Sequence, residues 1–211
     1  MKQVLGLGEI KNIVHGFYDA TDSKMVEMPI LMNQVHSADV LVIDEAPSYP
    51  PQVDALITKT PNLCLTVKTA DCAPILIADM KNNIIAAIHA GWKGAFQGII
   101  ETTVLKMREL GGEVSYMVAG VGPHIQKESF KADEKMRALF PVTEHLFFEK
   151  TELEGVYHFD FHGYVLHRIQ KSGITHIDSV LIDTYTDLDY NSYRRDPLDP
   201  ARQYSMICLK K

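Results

Sequence analysis

Short apolar runs dominate the first half of the chain. Residues 40–43 (VLVI), 63–67 (LCLTV), 74–78 (PILIA) and 84–88 (IIAAI) are rich in strand formers and bounded by turn-forming polar residues or proline. They follow one another too closely for a crossover helix between every pair, so the sheet they predict is antiparallel or mixed. The period changes after Gly94, where Ala95, Ile99, Ile100, Val104, Met107 and Leu110 recur at helical spacing and Gly111 and Gly112 supply a stop. Asp160 is placed to cap a second helix carrying Val165, Leu166 and Ile169, with Gly173 beyond its end. Residues 114–121, 178–182 and 204–209 read as further strands, and Pro47, Pro50 and Pro51 mark a loop within the domain. No segment repeats at solenoid spacing. This mixture predicts one α+β domain over residues 1–211.

Met80, Lys81, Asn82 and Asn83 separate two of these runs, a composition suited to a hairpin loop because asparagine tolerates positive φ. If all four form the loop, Asp79 pairs with Ile84 and His89 with Pro74, two residues along one face from Cys72. A shorter loop at Met80 and Lys81 would set Cys72 directly opposite His89. In both registers the thiol and the imidazole share a sheet face, within the roughly 5–8 Å of direct and diagonal cross-strand neighbours.

With 211 residues, 46% of them hydrophobic, the chain can bury one substantial core. Its 21 basic and 27 acidic residues give a net charge of -6, the wrong sign for a main affinity toward nucleic acid or an anionic membrane. A local basic pocket for a small anion stays open. No apolar run approaches the ~20 residues of a membrane span, and the first residues, MKQVLGLGEIKNIVHGF, do not read as a signal peptide. Three cysteines, Cys64, Cys72 and Cys208, without a C-x-x-C pair, argue against a disulfide framework and for a reducing, cytoplasmic setting.

A thiolate and an imidazole on adjacent strands support two chemistries. With another histidine they bind zinc and leave a fourth tetrahedral position open; alternatively the imidazole deprotonates the thiol for nucleophilic attack. Taken on spacing alone, the commoner use of such residues is structural, as a small buried thiol and a hydrogen-bonded histidine. Their surroundings shift the balance. Asp71 stands beside the thiol, and His89 leads into Gly91, Trp92, Lys93 and Gly94 at a helix start, where small residues admit close backbone approach. Upstream, Asn33, Gln34, Val35, His36 and Ser37 place a third histidine among amides. Arg194 and Arg195 form a guanidinium pair suited to phosphate or carboxylate, although most double arginines are solvated turns.

The segments NQVHS, VDALIT, TADCAPILI, AAIHAGWKG, GVGPHI and SYRRD follow the order, and nearly the spacing, of the motifs of the bacterial laccase-domain proteins, also described as a polyphenol oxidoreductase or purine nucleoside phosphorylase family. The chain resembles that family from about His15 to its C-terminus. The resemblance implies a single-domain sandwich of mixed β-sheets flanked by helices, similar to the catalytic domain of cytotoxic necrotizing toxins. It also implies zinc held by His36, Cys72 and His89. The implied activities are phosphorolysis of adenosine, inosine and methylthioadenosine, and deamination of adenosine. In that scheme zinc would activate water, Asp71, Cys72 and His89 would be the catalytic residues with Asp71 a proton shuttle, and Asn33, Gln34, Lys93, Arg194 and Arg195 would bind nucleoside and phosphate.

The chain departs from the family in two places. After His15, Gly16 and Phe17, the usual arginine- and glycine-rich segment is missing, and the sequence reaches Asn33 early. A frequent cysteine before the SYRRD motif is Asp183, and the common cysteines after the G-P-x-I motif are Glu128 and Ser129. None of these positions belongs to the inferred ligand set. Three other functions stay in view: a cysteine hydrolase or deamidase using Cys72 and His89, a metabolite-binding protein without catalysis, and a copper-dependent polyphenol oxidoreductase. Copper is the weaker expectation, because the remaining histidines show no H-x-H pairing.

Overall fold

The computed structural model describes residues 1–22 and 29–211. The strands in chain order are β1 (Ile13–Phe17), β2 (Val40–Val42), β3 (Ala55–Thr58), β4 (Cys64–Thr69), β5 (Ala73–Asp79), β6 (Ile84–Ala90), β7 (Met117–Val121), β8 (Lys131–Asp133), β9 (Phe148–Lys150), β10 (Val156–Phe159), β11 (His176–Ser179) and β12 (Gln203–Leu209). The helices are α1 (Leu5–Gly8), α2 (Trp92–Gln97), α3 (Ile99–Glu109), α4 (Glu134–Leu139) and α5 (Phe161–Lys171). A six-stranded mixed sheet ordered β11-β7-β5-β6-β3-β2 forms the centre, with three-stranded sheets ordered β1-β12-β4 and β8-β10-β9. The architecture is α+β with mixed sheets, as the sequence predicts.

Strands β5 and β6 are buried along their whole length, so alternate residues feed two cores. Ile75, Ile77, Ala86 and Ile88 join the helices and the β8-β10-β9 sheet, where Phe148, Phe159 and Tyr164 pack edge to face or tilted against Phe140. Leu76, Ala78, Ile85 and Ala87 turn the other way, toward Leu65, Val67, Ile207 and Leu209 of the β1-β12-β4 sheet. This double burial explains why the sequence shows continuous apolar runs there rather than alternation.

The hairpin takes the four-residue loop. Asp79 pairs with Ile84 and Pro74 with His89, and Asn83 adopts the left-handed φ of 52°. The Asp79 carboxylate fastens the turn by accepting from the Lys81, Asn82 and Glu113 backbone N–H groups. The helical run after Gly94 is two helices rather than one, because Gly98 takes a φ of 94° and divides α2 from α3. Asp160 caps α5 as expected, accepting from the Gly163 N–H at 2.9 Å, and Gly173 follows with a φ of 99°. Residues 114–116 form a short 3-10 turn, so the strand read at 114–121 begins at Met117. The strand read at 178–182 is displaced toward the N-terminus, to His176–Ser179.

The expectation of unpaired thiols fails for two of the three cysteines. Cys64 and Cys208 are directly opposed across β4 and β12 and form a disulfide. Their separation of 144 residues hides this pairing from any reading of local spacing. It also removes the ground on which cysteine usage pointed to a reducing compartment. No helix among the described residues is long and apolar enough to cross a membrane.

Candidate metal centre

The site forms where β4 and β6 end and β3 and β5 begin. Register continues past the strand ends, placing Gly91 opposite Cys72 and Asp54 opposite His89. Side chains at Asp54, Cys72 and His89 therefore share the sheet face of Leu56, Leu76 and Ala87. The adjoining strand residues fill the core, and these three emerge at its edge.

His36, Cys72 and His89 present ligand atoms that all lie within 4.8 Å of one another. The imidazole rings of His36 and His89 meet edge to face with centroids 4.8 Å apart. A Cβ added at Gly91 would stand 2.6 Å from His36 Nδ1 and 3.2 Å from Cys72 Sγ, so the space the ligands converge on depends on glycine there. Burial is graded: His89 is buried, Cys72 half-buried and His36 exposed. Two imidazoles and one thiolate suit a single ion with an open coordination position.

Asp54 organises the cluster, and the sequence reading did not single it out. Fully buried, it accepts from His89 Nδ1–H at 2.7 Å and from the backbone N–H groups of Val35, His36 and Ser37, with the Ser37 hydroxyl as a further donor. One carboxylate thereby fixes the tautomer of His89, leaving Nε2 for a ligand, and pins the turn that carries His36. His36 itself is held at a φ of 59°. The legible signal was an acid inside an apolar run, Val53-Asp54-Ala55-Leu56-Ile57.

Charge coupling is strong. Burial pushes the Cys72 thiol up, but the His89 and His36 imidazoles outweigh it and bring it down to about 6. Burial pushes His89 down, but Cys72 and Asp54 outweigh it and raise the imidazole to about 9. Burial likewise opposes ionisation of Asp54, and the His89 and Ser37 hydrogen bonds bring it to about 2. Without metal, the cluster is a thiolate-imidazolium pair backed by a carboxylate.

The cluster opens into a cavity of about 1260 Å³. Asn33, Gln34, Asp71, Lys93 and Arg194 line it, together with the cluster residues. Trp92, Phe130, Phe161 and Tyr193 add aromatic surface. The Gln34 amide is already paired with the Lys68 backbone at both ends, which ties the His36 segment to β4. Asp71, at a φ of 79°, accepts from Thr184 Oγ1, Ser192 Oγ and the Arg194 backbone N–H. Its carboxylate thus holds the SYRRD turn against the cavity.

The two arginines part company. Arg194 lies over the Phe130 ring at 5.3 Å on the cavity wall and donates to the Lys131 carbonyl at 3.2 Å. Arg195 gives its guanidinium to the carbonyls of Thr184, Tyr185 and Tyr190 and is not a lining residue. The guanidinium pair expected from sequence is one wall residue and one turn-holding residue.

Residues 13–210 match the family described as multi-copper polyphenol oxidoreductase laccase. The chain belongs to that family. It is 35% identical over 170 residues to a purine nucleoside phosphorylase of Rickettsia conorii, covering 79% of this chain and 70% of the relative. It is 36% identical, over the same length, to a purine nucleoside phosphorylase of Streptomyces coelicolor, covering 79% and 69%. A crystal structure of a Neisseria meningitidis protein superposes with a TM-score of 0.79 at 29% identity, over 87% of this chain and 75% of that one. A Bacillus licheniformis hypothetical protein gives 0.78 at 27% identity, over 86% and 74%. The family description names several coppers, yet the described residues of this chain hold one His-Cys-His cluster.

Proposed function

We propose that the chain is a zinc-dependent purine nucleoside enzyme of one catalytic domain, cleaving adenosine, inosine or methylthioadenosine with phosphate and deaminating adenosine. The observation that carries this reading is a carboxylate-backed His-Cys-His cluster opening into a cavity with both aromatic and cationic walls. The relatives' names support it. His36, Cys72 and His89 would hold the ion, which supplies Lewis acidity beside the substrate. Asp54 keeps His89 in the tautomer that presents Nε2. Trp92, Phe130 and Tyr193 give a purine surfaces to stack on. Lys93 and Arg194 provide the charge for phosphate, partly replacing the arginine missing near the N-terminus, whose shortened stretch includes residues 23–28, outside the described ones. Asp71 serves better as an anchor for Arg194 than as a proton shuttle, since a proton arriving there would displace one of three donors.

Metal-replete protein incubated with adenosine should release adenine only when phosphate is present, and inosine with or without it. Arg194→Met should lower adenine release by about 10- to 150-fold, the equivalent of one charged hydrogen bond, and leave inosine formation largely intact. Arg195→Met should instead lower stability and both products together. Absence of both products from zinc-loaded protein would sink the reading.

The thiolate-imidazolium pair favours a second reading, a cysteine hydrolase in which the Cys72 thiolate, already relieved of its proton by His89, attacks an amide carbonyl, the His89 imidazolium protonates the departing amine, and water then releases the acyl group. Rapid alkylation of Cys72 in metal-free protein that retains amidase activity would select it.

A further inference from the structure

Five cationic side chains line the cavity of this acidic protein: Lys68, Lys93, Lys131, Arg194 and Arg202. None of them forms an ion pair among the described residues. The acids on the wall, Asp71 and Asp133, are drawn into local bonds, Asp133 capping α4 through the Met136 N–H. One inorganic phosphate beside the metal does not need so many charges.

The cations also divide by layer. Arg194 and Lys131 flank Phe130, whose ring belongs to the helical-side core. Lys68 is on β4, paired with Tyr204, and Arg202 immediately precedes β12. Both fall on the parity of Cys64 and Cys208, the face of the small sheet turned away from Leu65, Val67 and Ile207. Two residues apart in register, they are diagonal neighbours, roughly 7–8 Å between backbones. Lys93, Lys131 and Arg194 are exposed, whereas Lys68 and Arg202 are half-buried. Two like charges partly withdrawn from water on diagonal backbone positions, with one Arg202 nitrogen donating to the Asp199 and Ala201 carbonyls and neither residue meeting a carboxylate, are unfavourable until an anion joins them.

We propose that Lys68 and Arg202 form a second anion subsite that takes the phosphate of a phosphorylated nucleoside, so that a nucleoside monophosphate binds this cavity in preference to the bare nucleoside. This rests on the nucleoside reading above and specifies its substrate class. The aromatic wall receives the base, the Arg194 side serves inorganic phosphate, and the Lys68 side serves the phosphate the ligand carries. A cavity of about 1260 Å³ has room for both.

The test compares adenosine with adenosine 5′-monophosphate by calorimetry on the zinc-loaded protein. The monophosphate should bind at least about tenfold more tightly at low salt, and the advantage should shrink at high salt. Lys68→Met and Arg202→Met should each remove about tenfold of the monophosphate's affinity and leave adenosine within about twofold. Equal affinity for the two ligands in wild type would overturn the second subsite while leaving the nucleoside reading standing. So would an advantage that disappears in Arg194→Met and persists in Lys68→Met, since the carried phosphate would then lie in the inorganic-phosphate position. Binding of the monophosphate alone would support the subsite and count against the bare nucleoside as substrate. Binding of neither would overturn both.

Discussion

Two places in the molecule bring a buried histidine against a second imidazole, and they resolve the contact in opposite ways. His89 gives Nδ1–H to the Asp54 carboxylate and meets a thiol, so it is lifted to about 9. His124, equally withdrawn from water, gives Nδ1–H to the Gly122 carbonyl at 2.7 Å and stacks on His162, so burial drives it down to about 4. With His124 Nδ1 protonated, its Nε2 accepts from His162 Nδ1 at 3.3 Å. One pair aims free nitrogen at a shared space, and the other consumes it internally. Proximity of imidazoles is common to both; the anionic neighbours and the direction of the lone pairs separate a metal site from a structural one.

The largest effect should come from the thiol. Cys72→Ala should reduce zinc from about one ion per chain to a small residue, while His124→Gln leaves it unchanged, both read by metal analysis of purified protein. Zinc retained by Cys72→Ala would erase the distinction between the two histidine pairs.

Next in size is a pH effect at the structural pair. Burial holds the folded His124 imidazole down to about 4, against 6.5 for a free imidazole. The unfolded chain therefore binds the extra proton, and the contribution of neutral His124 is complete above 6.5 and lost as pH falls toward 4. Over that window wild type should lose about 3 kcal/mol more than His124→Gln, measured by urea unfolding in the presence of a chelator. Parallel profiles would show that His124 is not held neutral by its surroundings.

The smallest of the three sharpens the role of the carboxylate. Asp54→Asn should weaken zinc binding by about 10- to 100-fold, measured by chelator competition, because the amide cannot accept from all the donors converging on it. An unchanged affinity would make Asp54 a strand-end residue with no hold on the metal.

Much of this was readable from the chain, and the exceptions have a common cause. The apolar runs gave the strands because β5 and β6 are buried on both faces, and the loop between them left two registers, both of which put Cys72 and His89 on one face. Asp54 escaped because its importance lies in whom it faces across β3 and β6, a relation between strands 35 residues apart. The Cys64–Cys208 pair escaped in the same way, at a greater separation. Arg194 and Arg195 look identical in sequence; only the carbonyls of the 184–190 segment tell them apart. Gly98 was visible, but its left-handed cap divides a periodic run that would otherwise be one helix.

The bond between Cys64 and Cys208 gives the chain a covalent topology. Residues 64–208 become a closed ring, with residues 1–63 as an arm outside it. Cys72, His89 and Arg194 are carried by the ring, His36 and Asp54 by the arm. A single proteolytic cut within the ring opens it without freeing a fragment, whereas a cut in the proline-rich loop at 47–51 severs His36 from the ring covalently. A metal held by the cluster would be a clasp between arm and ring: its ligand bonds would join the parts that the disulfide does not, and reduction and chelation would loosen different halves of the same molecule.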